Sequence, residues 1–286
     1  MQTVIQKLKD FNELVMFQHT IFSLPFIFIA MVVSADGWFG WELLFLGALA
    51  AIGARNFAMG LNRYADRTYD VQNPRTANRP SVDGRISANA ILAFTVVNAL
   101  LFIVVAYFVN NLAFYLSIPI LAVLASYSYF KRFSELAHLV LGVSLGLAPI
   151  AGVVAVEAAI PMWSLFLSLG VLFWVAGFDL LYSLQDIDFD KEEGLFSIPS
   201  RYGAEATMFI SAIFHSMTIL FWLFFAFESG AGLFGWLAVV LSAVMLAYEH
   251  KLVRKDFAKI DRAFFTVNGY LGVMFFILII VDRSIL

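Results

Sequence analysis

Apolar runs recur along the chain at roughly 15–35, 39–61, 87–109, 112–130, 136–156, 162–184, 204–227, 231–249 and 263–281, separated by short polar clusters. Each is close to the ~20 residues that a helix rising ~1.5 Å per residue needs to cross a bilayer core. The pattern predicts an all-α, polytopic membrane protein with nine transmembrane helices in one bundle. Ahead of the first run, MQTVIQKLKDFNEL mixes both signs of charge and has no evident small-residue cleavage site. It reads as an interfacial lead-in helix, not as a removable signal.

The basic residues orient the bundle. With the N-terminus in the cytoplasm, 16 of the 18 basic residues fall on inner segments, leaving Arg283 outside and Arg55 within a span. Lys and Arg concentrate in short cytoplasmic loops, and an odd number of spans preserves the bias. The expected location is the inner membrane of a bacterium, with the N-terminus and the long polar loops cytoplasmic. The outer connections are short and acidic or neutral. Two inner ones, Asn62 to Ser87 and Gln185 to Gly203, are longer and more polar, and loops carry chemistry more often than spans do.

Composition agrees with a bilayer protein. Of 286 residues, 62% are hydrophobic and only 14% charged, with a mean hydropathy of +0.85, outside the usual range of soluble chains. Cysteine is absent, which excludes disulfides, thiolate metal sites and a cysteine nucleophile. We expect the lipid bilayer as a partner and no nucleic acid.

The chain carries a weak internal repeat. Asp66 and Asp186 lie 120 residues apart, as do Asp70 and Asp190. The economical reading is a single domain, 1–286, built from two four-helix repeats at roughly 15–130 and 136–249 plus a ninth helix at 263–281. Duplicated halves would bring the two acidic loops together across a central cavity.

Within the first loop, NRYADRTYD spaces Asn62, Asp66 and Asp70 by four, so a continuing helix places them on one face. In DLLYSLQDIDFD, Asp179, Asp186 and Asp190 again share a face, with Asp188 pointing elsewhere. Carboxylates gathered this way repel one another unless a cation offsets them. Mg²⁺ suits oxygen ligands and is usually completed by substrate phosphates, so two such rows could hold a diphosphate from both sides. An EF-hand is excluded, because neither cluster has its twelve-residue spacing. The plainer reading, solvated loop charges near the headgroups, explains either cluster alone but not the matched pair.

Basic neighbours fit a polyanionic ligand. Arg75 and Arg79 follow the first acidic row, and Lys131 and Arg132 lie at the same membrane face, where they could contact phosphate oxygens or serve only as topological anchors. Arg55 lies nearly two turns inside its span, where a charge faces a cavity, pairs with another group or snorkels to the surface. His19 reads as a satisfied polar residue, and His138 and His215 receive no role.

At these residues the chain resembles the UbiA superfamily of intramembrane prenyltransferases, in order and over its whole length. The first family signature, Asn-Asp-x-x-Asp-x-x-x-Asp, is similar to NRYADRTYD, with Asn62, Asp66 and Asp70 retained and Arg63 in place of the first aspartate. The second resembles DLLYSLQDIDFD at Tyr182, Asp186 and Asp190, and YSYFKR resembles Tyr-x-x-x-Lys-Arg at Tyr127, Lys131 and Arg132. FQHTIFSLPF, NPRTANRP and GLFSIPSRYG look like the 4-hydroxybenzoate polyprenyltransferase branch, which includes relatives in the futalosine route to menaquinone. The resemblance implies a nine-helix bundle around a central cavity, Mg²⁺ at both aspartate motifs and an isoprenoid diphosphate donor.

The expected activity is therefore Mg-dependent transfer of a polyprenyl group from its diphosphate to the ring of an aromatic acid, 4-hydroxybenzoate or a naphthoate, in quinone biosynthesis. Asn62, Asp66, Asp70, Asp186 and Asp190 are the expected metal ligands. Arg55, Arg75, Arg79, Tyr127, Lys131, Arg132 and Tyr182 are expected at the substrates, and Asp179 or a diphosphate oxygen removes the ring proton. The rival from another class is a secondary transporter, which would place its acids near the bilayer middle.

Overall fold

The computed structural model describes residues 4–16, 22 and 24–285, without the side chains of Val4, Ala258 and Arg262. His19 and part of FQHTIFSLPF lie outside the described residues. A short amphipathic helix, α1 (Val4–Leu14), leads into α2 (Leu24–Ser34). Next come α3 (Trp41–Ala65), the single turn α4 (Arg67–Asp70), α5 (Ala88–Val109), α6 (Asn111–Phe130) and α7 (Ala137–Glu157). The chain continues through α8 (Met162–Tyr182), α9 (Ile187–Glu192), α10 (Ile198–Glu228) and α11 (Leu233–Lys255). It closes with the turn α12 (Ile260–Arg262), a π-helical turn at Ala263–Val267 and α13 (Asn268–Ile285).

Among the described residues, eight helical segments are long and apolar enough to cross a membrane, and α2 is a shorter apolar helix. The first expected span, 15–35, is thus described as helix only over α2. The other eight expected spans coincide with observed helices to within a few residues at most ends. The largest differences are at α10, which starts six residues earlier and breaks at Gly203 (φ 79°), and at the inner end of α11.

Local chemistry sets many of the ends. Ser87 Oγ accepts from Ala90 N at the start of α5, and Asn110 Oδ1 accepts from Ala113 N at the start of α6. Ser197 and Ser200 form a reciprocal capping box ahead of α10, which satisfies amide groups that a helix start leaves without partners.

Packing divides the bundle. The core lies among α2, α8, α10, α11 and α13, where Phe26, Trp174, Trp222, Phe225 and Phe275 are fully buried against one another. Polar side chains tie the same helices: Trp174 Nε1 donates to Asn268 Oδ1 and Asn268 Nδ2 to Glu249 Oε1, each at 2.7 Å. By contrast α3 buries only Gly47, Gly53, Gly60 and Arg63. Its remaining surface faces lipid, neighbouring helices or an internal cavity.

Small residues bring helices close where lipid offers no hydrophobic drive to associate. A Cβ at Gly142 of α7 would collide with the carbonyl of Leu172 on α8, and one at Gly152 with the carbonyl of Ile27 on α2. Both obstacles are backbone. Gly142→Val is expected to cost ~1–3 kcal/mol by overpacking and to lower the melting temperature in detergent micelles. An unchanged melting temperature would show that α7 and α8 can separate freely.

Candidate active site

The two acidic segments fold alike. Helix α3 stops at Ala65, Asp66 takes φ −91°, ψ 7°, and the chain turns into α4. In the second segment a 3₁₀ turn, Ser183–Asp186, ends at Asp186 with φ −106°, ψ 9° before α9 begins. Both middle aspartates therefore sit at a helix break in the sparsely populated bridge region. This corrects the expectation of an unbroken helical face through Asn62, Asp66 and Asp70. The kink interrupts it at Asp66, while Asn62 Nδ2 still reaches one turn on to Asp66 Oδ2 at 2.7 Å.

One cavity of about 390 Å³ collects every site residue expected from the sequence. Asn62, Asp66, Asp70, Arg75, Arg79, Tyr127, Lys131, Arg132, Tyr182, Asp186 and Asp190 line its polar mouth, and Arg55 and Asp179, seven residues before Asn62 and Asp186, line it as well. Below them the wall is apolar: α3 contributes small residues, Gly47, Ala50, Ala51, Ala54 and Ala58, and the other helices contribute larger ones such as Phe102, Leu124, Leu145 and Phe178. From Asp66 to Gly47 the cavity follows about 28 Å of helix α3, at ~1.5 Å per residue.

Guanidinium groups are interleaved with the carboxylates. Arg75, from the first loop, crosses to the second motif and grips Asp186 with two bonds, Nε to Oδ1 at 3.0 Å and Nη2 to Oδ2 at 2.6 Å. It also donates to Tyr182 Oη at 3.2 Å, and Asn73 Nδ2 approaches Asp186 Oδ1 at 3.4 Å. Arg79 Nη1 meets Asp70 Oδ1 at 2.7 Å. Arg132 Nη2 donates to Ala65 O at 2.8 Å and lies 3.4 Å from Asp66 Oδ1, over the rings of Tyr69 and Tyr129. The like-charge repulsion expected from the sequence is thus offset within the chain.

The balance leaves specific atoms unpartnered. Asp70 Oδ2 and Asp190 Oδ2, one from each acidic segment, are buried without a hydrogen bond. Lys131 forms no ion pair with any described residue; burial pulls its ammonium pKa down, but Asp190, Asp179, Asp186 and Asp66 together hold it above the ordinary value. Burial likewise opposes Arg75, and its contact with Asp186 wins, raising it. Both cations remain charged at the mouth. Among the described residues no three acidic or histidine side chains converge tightly enough to hold a metal ion by themselves. Phosphate oxygens would have to complete such a site.

Arg55 faces the cavity and does not reach past it to the surface. Its Nη2 donates to the carbonyls of Val15 and Met16 at 3.2 and 2.9 Å, and its Nε is buried without a partner. Arg63, 4% exposed, donates to Leu14 O and to Asn62 Oδ1, so it orients Asn62 towards Asp66. The sequence marks Arg63 as a departure from the first family signature and as an inner basic residue, and gives it no role at the site. Asn73, Thr76 and Tyr69 also line the cavity without having been singled out. His138, assigned no role from sequence, is fully buried with Nδ1 2.7 Å from Asp179 Oδ2; an ionisable residue within a span was the available signal.

Comparison with known proteins places this arrangement. The model of the UbiA prenyltransferase family matches residues 23–279. A 4-hydroxybenzoate octaprenyltransferase from Paracidovorax citrulli is 31% identical over 248 residues, 86% of this chain and 83% of the relative. One of the same name from Aromatoleum aromaticum is 27% identical over 88% of this chain and 86% of its own length. Among solved structures, a UbiA homolog from Aeropyrum pernix K1 superposes with a TM-score of 0.84 at 31% identity, covering 92% of this chain and 98% of the homolog. A UbiA homolog from Archaeoglobus fulgidus bound to GPP and Mg²⁺ shares the fold at a TM-score of 0.79 and 17% identity, over 96% and 99% of the two chains. Fold and site therefore define an integral-membrane prenyltransferase. The chain belongs to the UbiA prenyltransferase family.

The electrostatics of the mouth have a measurable sign. Burial, then the neighbouring Asp70, hold the Asp66 carboxyl above its ordinary value against Arg132 and Lys131. The folded state binds this proton more tightly than the unfolded chain, so stability is withdrawn as pH rises from the ordinary carboxylate value through the raised one. Asp66→Asn escapes that loss. In metal-free micelles its melting temperature is expected to gain on the wild type as pH rises above the ordinary carboxylate value of ~4; a gap that stays flat with pH overturns the account.

Proposed function

We propose that this chain transfers a polyprenyl group from a polyprenyl diphosphate to the ring of an aromatic acid, 4-hydroxybenzoate, in quinone biosynthesis. The observation that carries the reading is the single cavity. It joins two acidic segments and four cationic side chains at its inner mouth to an apolar channel running about 28 Å along α3. A charged headgroup and a long hydrocarbon tail fit those two regions. The names of the relatives support the acceptor, and the GPP and Mg²⁺ bound by the Archaeoglobus homolog support the donor class and the metal.

The chain's own residues fit Mg²⁺. The buried, unpartnered oxygens of Asp70 and Asp190 are hard anionic donors from opposite segments. Asn62, Asp66, Asp70, Asp186 and Asp190 would hold the ion beside the diphosphate. When bound, Mg²⁺ supplies Lewis-acid neutralisation of the charge that develops on the leaving diphosphate.

The protein side of the mechanism is electrostatic. Arg75, Arg79, Lys131 and Arg132 stabilise negative charge as it grows on the departing oxygen, which favours the transition state over the ground state. Arg55, seven residues before Asn62 and so about 10 Å deeper, offers an unpartnered guanidinium Nε to the acceptor's carboxylate. Apolar walls exclude water that would otherwise capture the allylic cation. The one-sided distribution of basic residues supports a mouth on the cytoplasmic side of a bacterial inner membrane. The parallel breaks at Asp66 and Asp186 support two equivalent four-helix halves, roughly 15–130 and 136–249, plus a ninth helix.

Membranes containing the protein, incubated with a polyprenyl diphosphate, Mg²⁺ and 4-hydroxybenzoate or a naphthoate, are expected to form prenylated 4-hydroxybenzoate. A preference for the naphthoate would reassign the acceptor. Asp66→Ala and Asp186→Ala are expected to lose about 100-fold or more in turnover while remaining inserted, and a chelator should abolish product. Full turnover in either variant overturns the metal-holding roles of both aspartates.

A further inference from the structure

We propose that His138 is a positioning residue that fixes Asp179 as the base for the acceptor's ring proton. The inference deepens the reading above and rests on it.

The pair is built across a close helix contact. His138 begins α7 and is fully buried, Asp179 lies near the inner end of α8, and His138 Nδ1 approaches Asp179 Oδ2 at 2.7 Å. One turn beyond His138, Gly142 lets α7 press against the backbone of α8, which brings the two side chains within bonding distance.

The geometry assigns the proton. His138 Nε2 is buried without a partner. A neutral imidazole carries one N–H. Placing it on Nε2 would bury a bare donor and set the Nδ1 lone pair against a carboxylate oxygen. Placing it on Nδ1 satisfies both atoms of the contact. His138 therefore donates to Asp179 Oδ2, and a carboxylate held through one oxygen presents the other in a fixed direction. Asp179 Oδ1 makes no hydrogen bond among the described residues, and Asp179 lines the cavity.

Sequence position sets this carboxylate back from the aspartates expected at the diphosphate. Asp179 precedes Asp186 by seven residues, through the last turn of α8 and the 3₁₀ turn that follows it, and Arg55 precedes Asn62 by the same number on α3. The pair thus occupies the level of the acceptor. As a purely structural device it is a poor one, because a buried polar pair costs desolvation that two packed apolar side chains would avoid.

In the reaction the C1–O bond of the donor breaks, and its electron pair leaves with the diphosphate. The ring carbon beside the phenol hydroxyl forms the new bond to C1 with a π pair. Its proton then passes to Asp179 Oδ1, and the C–H pair restores the aromatic ring. The proton leaves afterwards to water or to the released diphosphate.

Turnover in membranes with a polyprenyl diphosphate, Mg²⁺ and 4-hydroxybenzoate, either unlabelled or deuterated at both carbons beside the hydroxyl, tests this. The wild type is expected to show little isotope effect. His138→Leu should lower kcat about 10- to 100-fold, leave both KM values within about twofold and reveal a primary isotope effect. Asp179→Asn should reveal the same effect. His138→Asn, whose amide nitrogen falls where Nδ1 lies, should recover most of the rate. If His138→Leu does not accumulate, His138→Gln takes its place, since its amide reaches the Nε2 position and misses Asp179. Loss of rate with no isotope effect, or no recovery in His138→Asn, overturns the assignment while the wild type still prenylates. A wild type that prenylates neither 4-hydroxybenzoate nor a naphthoate overturns the reaction itself, and the base with it.

Discussion

Carboxylates gathered at the rim of a low-dielectric cavity must each find a countercharge, because an isolated buried anion is prohibitively costly. The mouth of this protein is organised by that requirement. Asp186 is held by Arg75, Asp70 by Arg79, and Asp66 lies beside Arg132. Arg75 matters most to the architecture, since it belongs to the first acidic loop and binds the second. One bidentate contact spanning 111 positions in the chain thus ties together the two segments between which a diphosphate would be held.

The same contacts define a poised state. Each arginine neutralises a carboxylate through some of its donors, and two carboxylate oxygens, on Asp70 and Asp190, remain buried and unbonded. Such atoms are expensive where nothing meets them and favourable ligands where something does. The cations and anions at the mouth are close to balance by themselves, so a diphosphate and divalent ions entering together would preserve it. An anion or a metal arriving alone would not.

Packing explains why the cavity lies where it does. Large aromatic side chains fill the space among α2, α8, α10, α11 and α13 and make that side of the bundle solid. On the other side, α3 presents glycine, alanine and arginine inwards, and α5, α6 and α7 enclose the space left beside it. A rigid wall carrying Asp179 and Asp186 therefore faces a wall of small residues, which leaves room for a hydrocarbon chain without displacing the core.

Much of this was legible in the chain. The ~20-residue apolar runs impose membrane helices because a backbone in hydrocarbon must satisfy its own hydrogen bonds, and the four-residue spacing of Asn62, Asp66 and Asp70 marked an oxygen-rich surface. Both are local properties, encoded within one or two helical turns. Tertiary structure alone decided the rest: the break at Asp66 in place of a continuous helix, the reach of Arg75 across to Asp186, the orientation of Asn62 by Arg63, and the meeting of His138 with Asp179. Those depend on which helices pack together and how closely. No local pattern specifies the approach of side chains 41 or 111 positions apart, because it is set by the summed packing of the whole bundle.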